Sequence, residues 1–357
     1  PEQALINPDN LSILINHIEC ASFEIPFTDE EKFGTVDTDE ILNFLEEEKL
    51  VHHSKNKWYW TSDVYPADGV SLRSISSDNF VVVDTSAKSK VIAEVDFTAA
   101  LTALHPKAIY ICEGEQYYVE ELDFEQRKAY VKKTDIDYYT DAIDYTKIKI
   151  LDNFGQKRLQ KFYINHGEVH VATQVVGFKK IKFFTMENVG AGKLSLPQNE
   201  MHTTSFWITI PSKVYQSLPF EPEEKINGIF GLAYCLHHVS PFFLMCDLRD
   251  IGVSIGDNAT GKTLPPRAIT PGMKVETDIP ISEWIDFEPN IFIYDNFPGG
   301  IGLSPTLFDL EKDLLRQCLK TIDVCPCKEG CPSCVGPAKE SGKSAKQVAQ
   351  HILEKLA

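Results

Sequence analysis

The chain has 357 residues, 43% hydrophobic, 11% aromatic and 24% charged, a composition that excludes disordered, collagen-like and disulfide-stapled proteins. Its 35 Lys and Arg against 52 Asp and Glu leave a formal charge of −17, so no uniform basic surface can hold nucleic acid by bulk charge, and any such contact must be local. Residues 1–100 carry 7 basic and 19 acidic side chains, whereas 147–193 carry 9 basic and 3 acidic, which makes the second stretch the place to look.

In chain order, Leu11, Leu14, Ile15 and Ile18 recur at helical spacing, a second short helical turn is expected at 28–33, and Ile41, Leu42 and Leu45 mark a third helix entered through Asp37, Thr38 and Asp39. Apolar residues at 50–53 and 58–61 then flank a polar turn, so the pattern predicts a winged helix over 1–66. After a linker at 62–69, short strands at 80–83, 90–95, 108–112, 116–122 and 128–133 and a helix at 97–104 predict a small β-barrel-like part over 67–150. A mixed α/β part is expected over 151–290, with strands at 168–177, 179–184, 206–210 and 242–246 and a buried helix at 223–239. Its stretch 256–289 is Pro- and Gly-rich and weakly patterned. The remainder, 291–357, reads as a strand, a Gly-rich turn, a helix at 304–320 opened by Ser304 and Pro305, a cysteine cluster and a helix at 343–356. The fold class is thus α+β, with a winged helix followed by a β-rich, barrel-like domain (67–357) and C-terminal helices.

The apolar stretch 226–246 contains Asn227, Gly228, His237, His238, Ser240 and Pro241, which suits a buried helix and not a bilayer span. No secretory leader pattern opens the chain, so a cytoplasmic location is expected, and in a reducing compartment nine cysteines point to core thiols plus a metal site. The first residue is Pro1 in place of Met, which suggests part of a longer protein.

Four thiols, Cys325, Cys327, Cys331 and Cys334, fall within ten residues, with Pro326, Gly330 and Pro332 supplying turns between them. A structural zinc with four thiolate ligands is the natural reading, and an iron–sulfur cluster or free thiols are the alternatives, because the Cys325-Pro-Cys327 gap is tighter than common zinc spacing. Cys318 shares a helical stripe with Leu307, Leu310 and Leu314 and reads as core. So do Cys235, His237, His238 and Cys246, in or beside the most apolar helix.

The sequence from Gly256 to Gly261-Lys262-Thr263 matches the phosphate-loop pattern. Its chemistry needs a helix after Thr263, however, and Pro265-Pro266 and Pro271-Gly272 forbid a normal one. The turn Pro298-Gly299-Gly300-Ile301-Gly302 lies between a strand and a helix, where glycines would let a phosphate backbone approach or would simply serve a tight turn. The basic stretch holds Lys147, Lys149, Lys157, Arg158, Lys161, Lys179, Lys180, Lys182 and Lys193, interleaved with Phe154, Phe162, Tyr163, Phe178, Phe183 and Phe184. Cations that track a backbone and rings that stack bases are the equipment of single-strand binding. Lys55, Lys57 and Trp58 at the hairpin form a similar candidate. Neither a Ser-His-Asp set nor paired catalytic carboxylates can be read from the sequence.

An ordered series of segments resembles the region after the second motor lobe of MrfA-type DNA repair helicases. It comprises Asn7-Pro-Asp-Asn10, His17 to Ala21, Glu24-Ile25-Pro26, Leu104-His105-Pro106 with Ile109-Tyr110, Gly114 and Tyr117, Asp137 to Thr140, Cys246-Asp247 with Asp250-Ile251-Gly252, Tyr294-Asp295 with Pro298 to Gly302, and the cysteine quartet. The resemblance implies a winged helix and a zinc-binding domain that guide single-stranded DNA and duplex junctions for a superfamily-two, ATP-driven 3′–5′ helicase in excision-type repair. Zn2+ would sit on Cys325, Cys327, Cys331 and Cys334, and ATP and Mg2+ would bind only in the motor lobes. No Asp-Glu-x-His box or arginine finger is present, so this region alone is expected neither to hydrolyse ATP nor to unwind DNA. The alternative is a zinc-containing interaction scaffold of a helicase-associated or phage-defence complex, to which the acidic front half would be suited.

Overall fold

The computed structural model describes residues 7–70, 79–86, 89–258, 260–264 and 287–356. Helix α1 (Leu11–Glu24) starts where the Asn10 side chain accepts from the Ile13 N–H and stops before Pro26, whose ring holds Ile25 extended at φ −145°. The chain then forms strand β1 (Phe27–Thr28) and not the expected second helical turn, because Phe27 is drawn into the core and pairs with Trp58. Helix α2 (Thr38–Glu47), capped by Asp37, packs Ile41, Leu42 and Leu45 on Leu14 and Ile18. Strands β2 (Val51–Ser54) and β3 (Lys57–Trp60) complete a winged helix of sheet order β1-β3-β2. Lys55 and Asn56, both left-handed at φ 52° and 65°, make the tight turn whose twist matches the two strands.

A second sheet contains β4 (Asn79–Asp84), β5 (Lys90–Asp96), β6 (Ile109–Cys112), β7 (Glu115–Asp123) and β8 (Lys128–Thr134), in the order β5-β4-β8-β7-β6, with β4 and β8 parallel. It curls around Phe80, Val82, Val119, Ala129 and Val131, with Ala100 of α3 (Phe97–Ala103) and Leu104 closing the core. Its edge strands approach where the Cys112 Sγ lies 3.9 Å from the Ile92 carbonyl.

Strand β9 (Tyr138–Leu159, 22 residues) and β10 (Phe162–Lys182, 21 residues) form one long hairpin. The separate strands expected at 168–177 and 179–184 are a single strand. A bulge between Val175 and Gly177 shifts the register and breaks the period-two pattern that sequence reading relies on. Beyond β10 come β11 (Asn188–Lys193) and β12 (Asn199–Thr209), then β14 (Pro289–Asp295) and, outermost, β13 (Ile251–Asp257). The sheet bends until β13 meets β9, where the Ser254 hydroxyl donates to the Thr146 carbonyl at 3.3 Å. Alternation then sorts side chains onto two faces. Val169, Val171, Trp207, Phe292 and Tyr294 fill the inside, while Ile164, Phe206, Ile208, Ile291 and Ile293 face a helical layer.

That layer is α4 (Ser212–Gln216), α5 (Pro222–Leu244), α6 (Leu303–Asp309), α7 (Glu311–Val324), α8 (Ala338–Ser341) and α9 (Ala345–Leu356). Helix α5 absorbs the strand expected at 242–246. It continues through Pro241 to bury Leu244 and ends at the left-handed Met245. The helix expected at 304–320 breaks at Leu310 into α6 and α7. At Gly228 a Cβ would come within 2.2 Å of Val348, so only glycine lets α9 lie this close to α5. No helix among the described residues is long and apolar enough to cross a membrane.

Candidate metal centre and nucleic-acid surface

Helix α7 delivers Cys325 as its C-cap, and the chain then turns back on itself. The Cys331 carbonyl accepts from the N–H groups of Cys334 and Gly336, at 3.0 and 3.1 Å, and Gly330 at φ 134° sits where a Cβ would be 2.7 Å from the Gly336 carbonyl oxygen. Lys346 on α9 donates to the carbonyls of Cys325 and Cys327 at 2.6 and 2.7 Å, tying the knuckle to the last helix. The four sulfurs lie within 4.8 Å of one another, with Cys325–Cys327 at 3.5, Cys325–Cys331 at 3.5, Cys327–Cys334 at 3.4 and Cys331–Cys334 at 3.7 Å. Tetrahedral zinc with Zn–S near 2.3 Å places its sulfurs about 3.8 Å apart. An iron–sulfur cube, with each thiolate on a different iron, would spread them more widely. The Cys327 N–H holds the Cys325 thiol down to about 7, whereas burial pushes Cys334 up to about 12. Four converging sulfurs would fill all four positions of a tetrahedral ion, the ligand set of a structural site.

Among the described residues no second group of possible metal ligands gathers around the other cysteines. Cys318 is fully buried, and the Cys235 thiol points at its carbonyl at 3.8 Å. His237 bonds the Ile251 carbonyl, and His238 stacks on Tyr234 at 3.8 Å. The loop that matches a phosphate-binding pattern closes on itself. Asp257 N–H donates to the Lys262 carbonyl, and the Asp257 carboxylate accepts from the Thr260 N–H and hydroxyl, so the described residues of the loop leave no empty cradle. Pro265, Pro266, Pro271 and Gly272 lie outside the described residues.

The Gly-rich turn is filled from within. The Asp295 carboxylate, with 0% exposure, accepts from the N–H groups of Ile301, Gly302, Leu303 and Ser304 at 2.9–3.1 Å and from the Ser304 hydroxyl. These donors at the start of α6 would otherwise greet an anion. Asp295 therefore caps this helix, with Gly302 at the cap position, in place of the expected Ser304. The outer side of the turn meets the winged helix. Asn10 Nδ2 donates to the carbonyls of Pro298 and Gly300, both at 2.8 Å, and Asn7 Nδ2 to Gly300 at 3.1 Å. Gly300 is buried against Thr204, which removes it as a DNA contact, while Gly299 is exposed beside Asn10.

Several of the expected DNA contacts have other work. Trp58 is 4% exposed in the winged-helix core beside His53 and cannot stack on a base, whereas Lys55 and Lys57 stand exposed at the tip with Tyr59. Lys157 reaches across to the helical layer. It donates to the Phe308 carbonyl at 2.7 Å, pairs with Glu311 at 3.2 Å and Asp309 at 3.7 Å, and lies 4.1 Å over the Phe308 ring. We expect Lys157→Ala to cost about 1–3 kcal/mol of stability, because the Glu311 carboxylate is left buried without its cation. Affinity for single-stranded DNA should stay within about twofold; a urea titration and a binding titration check both, and a tenfold affinity loss would restore Lys157 to the DNA surface. Arg158 is exposed, its Nε donating to the Gln160 carbonyl. Lys179, Lys180 and Lys182 remain together near the end of β10, with Lys182 paired to Asp137 at 3.3 Å and Lys180 5.0 Å over Tyr138. Neither the Asp295 cage nor the Asn10 bridge is marked in the sequence by more than its local motif.

A winged helix, two curled sheets and a helical layer closed by four clustered thiols make up an accessory region of the kind that helicases carry. The family description "MrfA Zn-binding domain" matches residues 232–335, and "ATP-dependent helicase HRQ1, winged helix domain" matches 6–75. The chain is 37% identical to the uncharacterized ATP-dependent helicase YprA of Bacillus subtilis (strain 168), over 98% of this chain and 43% of that protein. It is 24% identical to the ATP-dependent helicase HRQ1 of Saccharomyces cerevisiae, over 99% of this chain and 32% of that protein. The crystal structure of DUF1998 helicase MrfA bound to DNA superposes with a TM-score of 0.56 at 36% identity, over 100% of this chain and 44% of that one. A second crystal structure of DUF1998 helicase MrfA gives 0.60 at 31% identity, over 97% of this chain and 45% of that one. The chain thus carries an HRQ1-type winged helix domain and an MrfA zinc-binding domain, and it is homologous to the C-terminal region of the YprA and HRQ1 helicases. It spans less than half the length of these relatives.

Proposed function

We propose that this chain is the DNA-guiding, zinc-stabilised accessory region of an ATP-dependent 3′–5′ helicase of superfamily two that acts in repair of damaged DNA. In this reading it binds one Zn2+ and contacts single-stranded DNA and the duplex junction. ATP and Mg2+ are handled by the helicase motor lobes, and the cytoplasm, whose reducing conditions suit nine cysteines with no disulfide among them, is its place of work. The observation that carries the reading is the joining, in one continuous chain, of an HRQ1-type winged helix to a four-thiolate zinc domain in a fold shared with a helicase crystallised on DNA. With a net charge of −17 the protein must bind DNA through local cations.

The test is a titration of a single-stranded oligonucleotide at several salt concentrations. We expect weak, salt-sensitive binding, and changing Lys179, Lys180 and Lys182 together to Glu should weaken it by roughly tenfold or more and flatten the salt dependence by about two to three ions. Unchanged affinity and slope in the triple variant would remove this surface from the reading.

A further inference from the structure

We infer that the turn joining β10 to β11 is a base-stacking finger, with Phe184 the ring that lies on an unpaired nucleobase of a single strand. The inference rests on the DNA-binding reading above and supplies its contact. Phe184 is 102% exposed, as bare as in an isolated peptide, and Met186 beside it is 64% exposed. Both hold left-handed backbones, φ 63° and 57°, which side chains other than Gly, Asn and Asp adopt only where the surroundings enforce it. The enforcement is visible. Lys182 N–H donates to the Glu187 carbonyl at 2.9 Å, Met186 N–H to Lys182 at 3.1 Å and Thr185 N–H to Phe183 at 2.8 Å. Phe183 packs on Tyr139 at 5.6 Å, and the Tyr139 hydroxyl reaches the Met186 sulfur at 3.9 Å. The fold therefore spends one ring, Phe183, on fixing the turn and holds the next, Phe184, clear of every neighbour.

The chemistry of the shaft selects the ligand. Lys180 and Lys179 stand four and five residues behind the ring with no ion-pair partner among the described residues, and Lys182 answers Asp137. A flat apolar face on a cationic stem matches a base with its phosphates, since every base offers a π-face. A protein-docking patch would need a contiguous apolar surface. Here Lys182, Thr185, Glu187 and Asn188 surround Phe184 on the turn and break up its apolar residues, the half-buried Phe183 and the exposed Met186 and Val189, so that they form no broad patch.

The experiment uses the whole chain and an oligothymidine carrying one 2-aminopurine, whose fluorescence falls when the base stacks. Phe184 touches no core residue, so Phe184→Ala should melt like the parent. We expect the parent to bind and change the emission, Phe184→Ala to raise Kd roughly tenfold and abolish the change, and Phe184→Trp to restore both. Equal Kd and emission response in Phe184→Ala would overturn the finger and leave DNA binding standing. Absence of saturable binding by the parent would overturn the DNA-binding reading itself, and the finger with it. Self-association or capture by anionic vesicles that is lost in Phe184→Ala while oligonucleotide binding persists unchanged would reassign the ring to a protein or lipid contact.

Discussion

Replacing Cys331 with Ser should release the metal and unfold the helical layer, leaving little soluble protein. Cys334 and Val335 belong to the same buried core as Leu314, Ile322, Ala345 and Val348, so the knuckle is a wall of that core and not an appendage. The Cys331 carbonyl also anchors the turn through Cys334 and Gly336. Without metal, four thiols that crowd within 4.8 Å would have nothing to bind but one another. Apparent zinc affinities of four-ligand structural sites are worth about 10–16 kcal/mol at neutral pH, as much as the whole net stability of a domain, about 5–15 kcal/mol. Elemental analysis should find close to one zinc per chain in the parent and well under half in the variant, and a strong chelator should lower the melting temperature of the parent. A Cys331→Ser protein with full zinc and an unaltered melt would refute the structural role.

The second large effect is expected at Asp295. Its carboxylate satisfies four backbone N–H groups and the Ser304 hydroxyl in a site with no exposure. Removing it in Asp295→Ala orphans all of these donors, each costing about 1–3 kcal/mol where water cannot replace the lost acceptor. We expect a loss of about 4 kcal/mol or more in urea unfolding. Asp295→Asn, which keeps one oxygen but turns an NH2 group toward donors, should lose about 2 kcal/mol or more. A loss below about 1 kcal/mol in the Ala variant would mean that water enters the turn freely. In the Ala variant the α6 N-terminus would be open to an anion, which the native carboxylate keeps out.

The features read most easily from sequence are those whose partners lie close by in the chain. The thiols of the knuckle sit within ten residues, and Asp37 is the cap that its position before α2 announces. The winged helix was legible except at β1, where Phe27 follows the core and the partner strand thirty residues on and not its own local pattern. The long hairpin was not legible, because bulges at His166, Glu168 and Val175 shift its alternation. Among the basic residues, sequence had no means of separating Lys157, committed to Glu311 some 150 residues later, from Lys179 and Lys180. Trp58 looked like a stacking ring for the same reason, since burial is a property of the whole fold.

Asn10 has the last consequence. Its carbonyl oxygen caps α1 while its amide nitrogen grips Pro298 and Gly300, and the side chain is 2% exposed. One amide group thus belongs to two bodies at once. Any swing of the winged helix away from the Gly-rich turn would have to break this grip or give up the cap on the first turn of its own leading helix. A force arriving at the front of the chain would be delivered, through Asn10 and its neighbour Asn7, to the turn that Asp295 caps.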